Sequence, residues 1–350
     1  MDPEVPGSSP GGGTISSLSW RPINAHARFA ARAADALGLS FRCLDEDGYL
    51  FAVAESPGGE RIFGTGSASP YFLNSAAAMS LARDKGFAAE AFGASGVPHV
   101  PGRLFFANDR HAVFRKPGRE PADALEAALD FVYPVFCKPV SGSKGDFAEP
   151  IADAAGFADY LSRVGARHDA ILVQPLIRGV EHRVIVLQGV ALCSYEKTPL
   201  TVTGDGRAVL AELVAAARRR IGPTTAALAP PSLAEAVDEA GRIWSAREAP
   251  PQGVRLMVFG PQNRSAGGDA KEVLTPPPEA LARLGVQAAR ALGLSFAGVD
   301  VFDISACGDA SALMVIEANA SPALQTLEAH ARLDLIDRIW TANLKAGLGC

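Results

Sequence analysis

The 350-residue chain has no apolar run long enough to span a bilayer. It has no basic excess either: the formal net charge is −5, too little positive field to argue for nucleic acid as a partner. Its five cysteines, Cys43, Cys137, Cys193, Cys307 and Cys350, are odd in number and widely spread. No two have metal-ligand spacing, and a disulfide framework is not expected in a chain of this size. The opening MDPEVPGSSPGGGTISS lacks the n-region and h-region of a secretory signal. Its Gly, Pro and Ser read as a disordered tail over 1–19. These absences predict a cytoplasmic protein with reduced thiols and no membrane or nucleic-acid partner. GxxxxGK[ST] is missing, which excludes a P-loop, and GTGSAS at Gly64 lacks the third glycine of a dinucleotide fingerprint. No internal repeat is present.

What is there fits a soluble globular protein: 48% apolar and 20% charged residues, in a chain long enough for two or three compact subdomains. Apolar periodicity predicts helices over 24–39, 76–96, 122–132, 153–165, 207–220 and 277–294. Strands are predicted at 49–54, 133–140, 170–177, 254–259, 297–304 and 312–320. Residues 181–197 read as a hairpin turning at Gln188-Gly189. The Pro-flanked stretch 229–253 is expected to be an inserted helical connection. Helices and strands alternate, but hairpins interrupt them, so the expected class is α+β layers rather than one doubly wound sheet.

Three stretches carry candidate chemistry. In MVIEANASPAL an apolar strand ends in Glu317 and Asn319, which share a face because strand side chains repeat every two residues. Alone it reads first as a strand ending in a polar turn. If it pairs with GVDVFDI, Asp300 joins Glu317 and Asn319, and three oxygen donors together suit Mg²⁺. In FCKPVSGSKGDF, Lys138 ends a buried strand and needs an anionic partner. The donor-rich loop Ser141, Gly142, Ser143, Lys144 and Gly145 could fold its N–H groups over phosphates, or be a solvated turn. In VQPLIRGVEHRV, Glu181 and Arg183 read alone as surface charges flanking a hairpin start; in a site, Glu181 could accept from sugar hydroxyls and Arg183 could fork onto phosphate or carboxylate.

The order of these motifs resembles the ATP-grasp superfamily of carboxylate–amine ligases. LARDK, VFCKPVSGSKG, ILVQPLIRGVEHRVIV, EKTPLTVTGDGRAVLAELV, NRSAGGDA, AGVDVF and VIEANASPAL occur in the family's order over roughly Asn74 to Leu327. TVTGDG before an amphipathic helix, then N-x-S-x-G-G, is most similar to the cyanophycin synthetase and bifunctional glutathione synthetase branch. The resemblance implies two α+β subdomains gripping ATP, with a short N-terminal α/β region. It divides the chain into a tail over 1–19, an N-terminal region and linker helix over 20–110, a lid subdomain over 111–176 and a core subdomain over 177–346. It implies a reaction in which ATP converts a carboxylate to an acylphosphate that an amine attacks. The substrates would be an acid and an amine, amino acid or peptide, and a homo-oligomer is open.

Residue by residue, the resemblance implies that Lys138 and Ser141 to Gly145 meet the ATP phosphates and that Lys85 lies near the nucleotide. Gln174, Pro175, Leu176 and Ile177 would be the adenine hinge, and Glu181 the ribose acid. Asp300, Glu317 and Asn319 would hold Mg²⁺, with Mn²⁺ as a substitute. Arg183, Lys197, Arg255 and Asn263 would contact the acylphosphate or substrate. Gln174 stands where the family usually has Glu, and Ala323 and Arg264 also depart from its pattern. Two other expectations are a modifier of a protein or peptide tail and an ATP-binding module without turnover.

Overall fold

Asn24 accepts a hydrogen bond from the His26 amide at 2.9 Å and so starts α1, Ala25–Ala36, satisfying a donor that the helix leaves open. The computed structural model describes residues 24–55, 59–66, 68–142, 145–177, 179–221, 231–260, 267–305 and 313–349. The expected tail, 1–19, lies outside them. The chain divides into two units, one built from residues up to Pro70 with Trp340–Cys350, the other from Tyr71–Ile339.

In the first unit, α1 buries Ala27, Phe29, Ala30, Ala33 and Ala34, the stripe of a helix lying on a sheet. Its sheet is antiparallel, β1 (Ser40–Cys43), β2 (Leu50–Ala54) and β3 (Arg61–Gly64) in that order. Phe51 and Phe63 are cross-strand partners whose rings stack at 5.4 Å, with Trp340 beside both. His26 packs against Phe29 and Trp340. Burial pushes its pKa down from 6.5 to about 4. Between those values the unfolded chain takes up a proton that the folded unit refuses, so stability is complete above pH 6.5 and falls as pH drops toward 4. The loss is at most about 3 kcal/mol. The urea midpoint of the wild type should therefore fall more steeply across this window than that of His26→Phe; parallel profiles would show that His26 carries no such linkage.

In the second unit, Ser75 caps α2 (Ala76–Arg83) and Asp84 caps α3 (Lys85–Ala94). One helix is expected over 76–96, but Asp84 breaks it. Its backbone is extended, φ −87° and ψ 105°, and its side chain accepts from the Phe87 amide at 3.0 Å. Aspartate competes for backbone donors in this way and favours caps over helix interiors. The break sets Lys85 at the first position of α3.

The next elements are β4 (Arg103–Phe106), α4 (Pro121–Ala128), β5 (Val135–Pro139), β6 (Glu149–Ile151), α5 (Ala154–Gly165) and β7 (Ala170–Pro175). They form a four-stranded antiparallel sheet in the order β4-β7-β5-β6. Phe105, Phe157, Tyr160, Val164 and Ile171 make its core. β8 (Val180–Leu187) and β9 (Val190–Thr198) form the expected hairpin. Its turn residues Gln188 and Gly189 have φ of 48° and 78°, the left-handed pair whose twist suits a two-residue connection.

After β10 (Thr201–Thr203) and α6 (Leu210–Ile221), the structure corrects the sequence reading. The stretch expected to be a helical connection contains β11 (Glu235–Asp238) and β12 (Ile243–Ser245), paired antiparallel. Asp238 holds the turn by accepting from the amides of Ala240 and Arg242 and from the Trp244 indole. Gly241 supplies a φ of 82° there, a backbone that glycine adopts without steric cost. With β13 (Arg255–Val258) they form a second four-stranded sheet, β10-β13-β11-β12, around Leu210, Ala236, Trp244 and Leu256.

The remaining elements are β14 (Asp269–Ala270), α7 (Glu279–Ala291), β15 (Phe296–Asp303), β16 (Leu313–Asn319), α8 (Gln325–Ala329) and α9 (Leu333–Leu348), whose residues from Trp340 belong to the first unit. They complete a five-stranded antiparallel sheet ordered β14-β9-β8-β15-β16. α7 lies close on it, since a Cβ on Gly285 would come within 2.7 Å of Val184. Asn74 ties the start of β15 to the end of β16. Its amide nitrogen donates to the carbonyls of Phe296 and Ala320 at 2.7 and 2.8 Å, and its oxygen accepts from the amides of Ser295 and Phe296. The observed class is the expected α+β.

Candidate active site

β15 runs between β8 and β16, so a residue on it has a cross-strand neighbour on each side. Asp300 faces Arg183 on β8 and Glu317 on β16. Because residues two apart share a face, Glu181 falls beside Arg183 and Asn319 beside Glu317. Lys197, near the end of β9, projects into the same row. Six of the residues singled out from the sequence are thus assembled by strand register alone.

Their contacts are those of a buried ion cluster. The Arg183 guanidinium forks onto Asp300, Nε to Oδ1 at 2.7 Å and Nη2 to Oδ2 at 2.6 Å. Lys197 Nζ lies 2.8 Å from Asp300 Oδ2 and also donates to Glu181. Asn319 donates to Glu317 Oε1 at 3.1 Å. Arg183 has room because Gly298 has no side chain: a Cβ there would stand 3.4 Å from Arg183 Cδ and 2.8 Å from Pro322 Cβ.

Lys85 and Lys138 complete the charge balance. The Lys85 amide donates to the Val140 carbonyl at 2.9 Å and its Nζ to the Gly142 carbonyl at 3.0 Å, so α3 is stitched to the end of β5. Lys138 is buried on β5. Burial lowers its pKa, opposed by Glu317 and, more weakly, by Glu181 and Asp300. Burial works against ionisation of Glu317 as well, but Lys85 and Lys138 outweigh it and hold its carboxyl below the ordinary range. Asp300 is likewise held low against burial, by Arg183 and Lys197. Burial raises Glu181 despite the Lys197 ammonium beside it. Three carboxylates thus face four cations, a surplus of positive charge suited to an anionic ligand.

The structure places the other expected residues as follows. Gln174 is buried and its side chain donates to the Val100 carbonyl at 3.0 Å. That accounts for glutamine here, since a carboxylate has no hydrogen to give. Pro175 is exposed, and Leu176 and Ile177 are half-buried. A narrow cavity nearby is lined by Lys85, Phe92, His99, Leu172, Gln174 and Glu317. Ser141 and Gly142 are exposed, and Gly145 follows with a φ of 77°. Ser143, Lys144 and Asn263 lie outside the described residues. Arg255 is exposed on β13, paired with Thr203 in the separate four-stranded sheet, and no hydrogen bond or ion pair joins it to the cluster among the described residues.

The metal expectation passes a test of donor chemistry. Among the described residues no three His, Cys, Asp or Glu side chains converge on a metal. The site offers two carboxylates and one amide instead. Asp300 and Glu317 face each other across adjacent strands. Asn319 spends a donor on Glu317, not its oxygen. A carboxylate has about four acceptor positions, and three on Asp300 are taken by Arg183 and Lys197. All-oxygen donors of this kind suit Mg²⁺ rather than a softer metal. Sequence reasoning missed Asn74, which looks like an ordinary residue before a helix.

Residues 263–342 match the RimK-like ATP-grasp domain. A glutathione biosynthesis bifunctional protein of Enterococcus faecalis is 28% identical over 233 residues, 61% of this chain and 30% of that protein. A cyanophycin synthetase of Trichormus variabilis is 27% identical over 267 residues, 70% of this chain and 27% of that protein. The chain therefore spans under a third of the length of either. A crystal structure of a bifunctional glutathione synthetase from Pasteurella multocida aligns over 90% of this chain and 44% of that one, with TM-score 0.49 and 17% identity. No helix among the described residues is long and apolar enough to cross a membrane. The matched segment, 263–342, runs through the strands that bear Asp300, Glu317 and Asn319, so the similarity to ATP-grasp ligases falls on the ion cluster itself.

Proposed function

We propose that the protein is an ATP-dependent ligase that joins a carboxylate to an amine through an acylphosphate, releasing ADP and phosphate. The observation that carries this reading is the row Arg183–Asp300–Glu317, flanked by Lys197 and Asn319 and facing Lys85 and Lys138. Its cationic surplus suits phosphate oxygens, and its paired carboxylates suit a divalent ion.

In this reading 111–176 is the lid and 177–346 the core, and ATP lies between them. Lys85 and Lys138 bind phosphate oxygens and neutralise charge as it moves during transfer. The backbone of 174–177 orients adenine, and Glu181 accepts from ribose. Asp300, Glu317 and Asn319 would hold Mg²⁺, which supplies charge neutralisation at the phosphates when bound. Arg183, already aligned by its fork onto Asp300, presents its guanidinium edge to the acylphosphate. No protein nucleophile is required; the chain contributes position and electrostatics. The acid and amine are an amino acid or small peptide, by similarity to the relatives named above.

Lys138→Met should weaken ATP binding by roughly ten- to a hundredfold, the range of a lost hydrogen bond to a charged group. Calorimetry with ATP and Mg²⁺ reads this directly, and an unchanged affinity would remove Lys138 from the phosphate site. The function itself is tested by phosphate release from purified protein with ATP and Mg²⁺ against pools of amino acids and small peptides. Release that needs one acid and one amine together supports the ligase. Bound ATP with no release from any pool would point instead to a macromolecular acceptor or a binding module.

A further inference from the structure

Lys197 touches two carboxylates that the proposed function gives to different ligands. Glu181 belongs to the ribose side and Asp300 to the metal side. The ammonium lies 2.8 Å from Asp300 Oδ2 and donates to Glu181 as well. Its side chain is 5% exposed, so water cannot replace either partner cheaply.

Arg183 already neutralises Asp300 through a two-point fork. A second cation on the same carboxylate is more than charge balance at Asp300 needs. Glu181 is the other anion within reach, and a lysine can turn between two acceptors because its charge is a point on a flexible stem. An arginine fork is fixed by its planar geometry.

We infer that Lys197 is a placeholder cation: it occupies Asp300 while the metal position is empty and yields that carboxylate by turning fully onto Glu181 when a divalent ion arrives. The inference rests on the metal assignment made under the proposed function. In these terms Lys197 is a positioning residue. It keeps two buried carboxylates compensated in the metal-free protein and makes metal affinity depend on the state of Glu181.

The test is Mn²⁺ binding without nucleotide, read by electron paramagnetic resonance of the free ion. Lys197→Met removes the competitor and should tighten Mn²⁺ binding by about tenfold or more. Lys197→Arg, which keeps the charge, should tighten it far less. Glu181→Gln removes the lysine's alternative partner and should weaken Mn²⁺ binding, and this effect should shrink in the Lys197→Met background. If Lys197→Met does not fold, Lys197→Gln serves as the neutral variant. Equal Mn²⁺ affinity in wild type and the neutral variant, or a Glu181→Gln effect of the same size in both backgrounds, overturns the placeholder role. Glu317→Gln separates that failure from a failure of the site: it should abolish the binding, and Mn²⁺ binding that survives it would remove the metal assignment and the inference together.

Discussion

An Asp300→Ala variant is expected to lose about 3–5 kcal/mol of folding stability, the range seen when one partner of a buried ion pair is removed. Arg183 and Lys197 both point at this carboxylate, and both would be left buried beside a void. Urea unfolding monitored by circular dichroism measures the loss. A change under about 1 kcal/mol, the range of a surface pair, would mean that water reaches the cluster and that it does not behave as the buried ion cluster described above. Replacing the cluster as a set, with Asp300→Leu, Arg183→Met, Lys197→Met and Glu181→Met combined so that no carboxylate is left without its cation, should recover much of the lost stability while leaving no turnover, because apolar groups of similar volume need no counterion.

The second large effect is on chemistry rather than folding. Glu317→Ala should lower ATP-dependent phosphate release by about 10²–10³-fold or more, the scale of losing one preorganised electrostatic element. Glu317 is the carboxylate that Lys85 and Lys138 both stabilise, and it faces Asp300 directly across two strands. Its loss removes a proposed metal ligand and the main anion opposing the burial of Lys138. Turnover at the wild-type rate in a folded Glu317→Ala protein would refute both roles.

Much of this arrangement is legible in the sequence, for identifiable reasons. Two-residue periodicity puts Glu317 and Asn319 on one face, and the Val- and Ile-rich runs around Asp300 and Glu317 mark strands that pair as expected. The Gln188-Gly189 turn carries its own backbone requirement. Other features depend on partners distant in the chain. Asn74 bonds to Phe296, 222 residues away, and nothing local distinguishes it from a helix cap. That Arg183 and Lys197 share Asp300 follows from register in a five-stranded sheet, which no single segment encodes. The hairpin of β11 and β12 was hidden by composition. Ala and Glu favour helix in isolation, and only the Asp238 turn with Trp244 in the core of the small sheet overrides that preference. The split at Asp84 was visible as a capping residue but sits inside an otherwise continuous apolar pattern.

The central position of β15 has a further consequence for how the protein can fail. Paired along its length to β8 on one side and β16 on the other, its amides should be among the slowest to exchange with deuterated solvent, opening only with the whole sheet. Strand β14, two residues long at the sheet's edge, should exchange early. The carboxylate at the centre of the site therefore rides on the segment least able to fray. Heat or denaturant can loosen the periphery while Asp300 keeps its alignment, so loss of that alignment and global melting of the sheet become a single event.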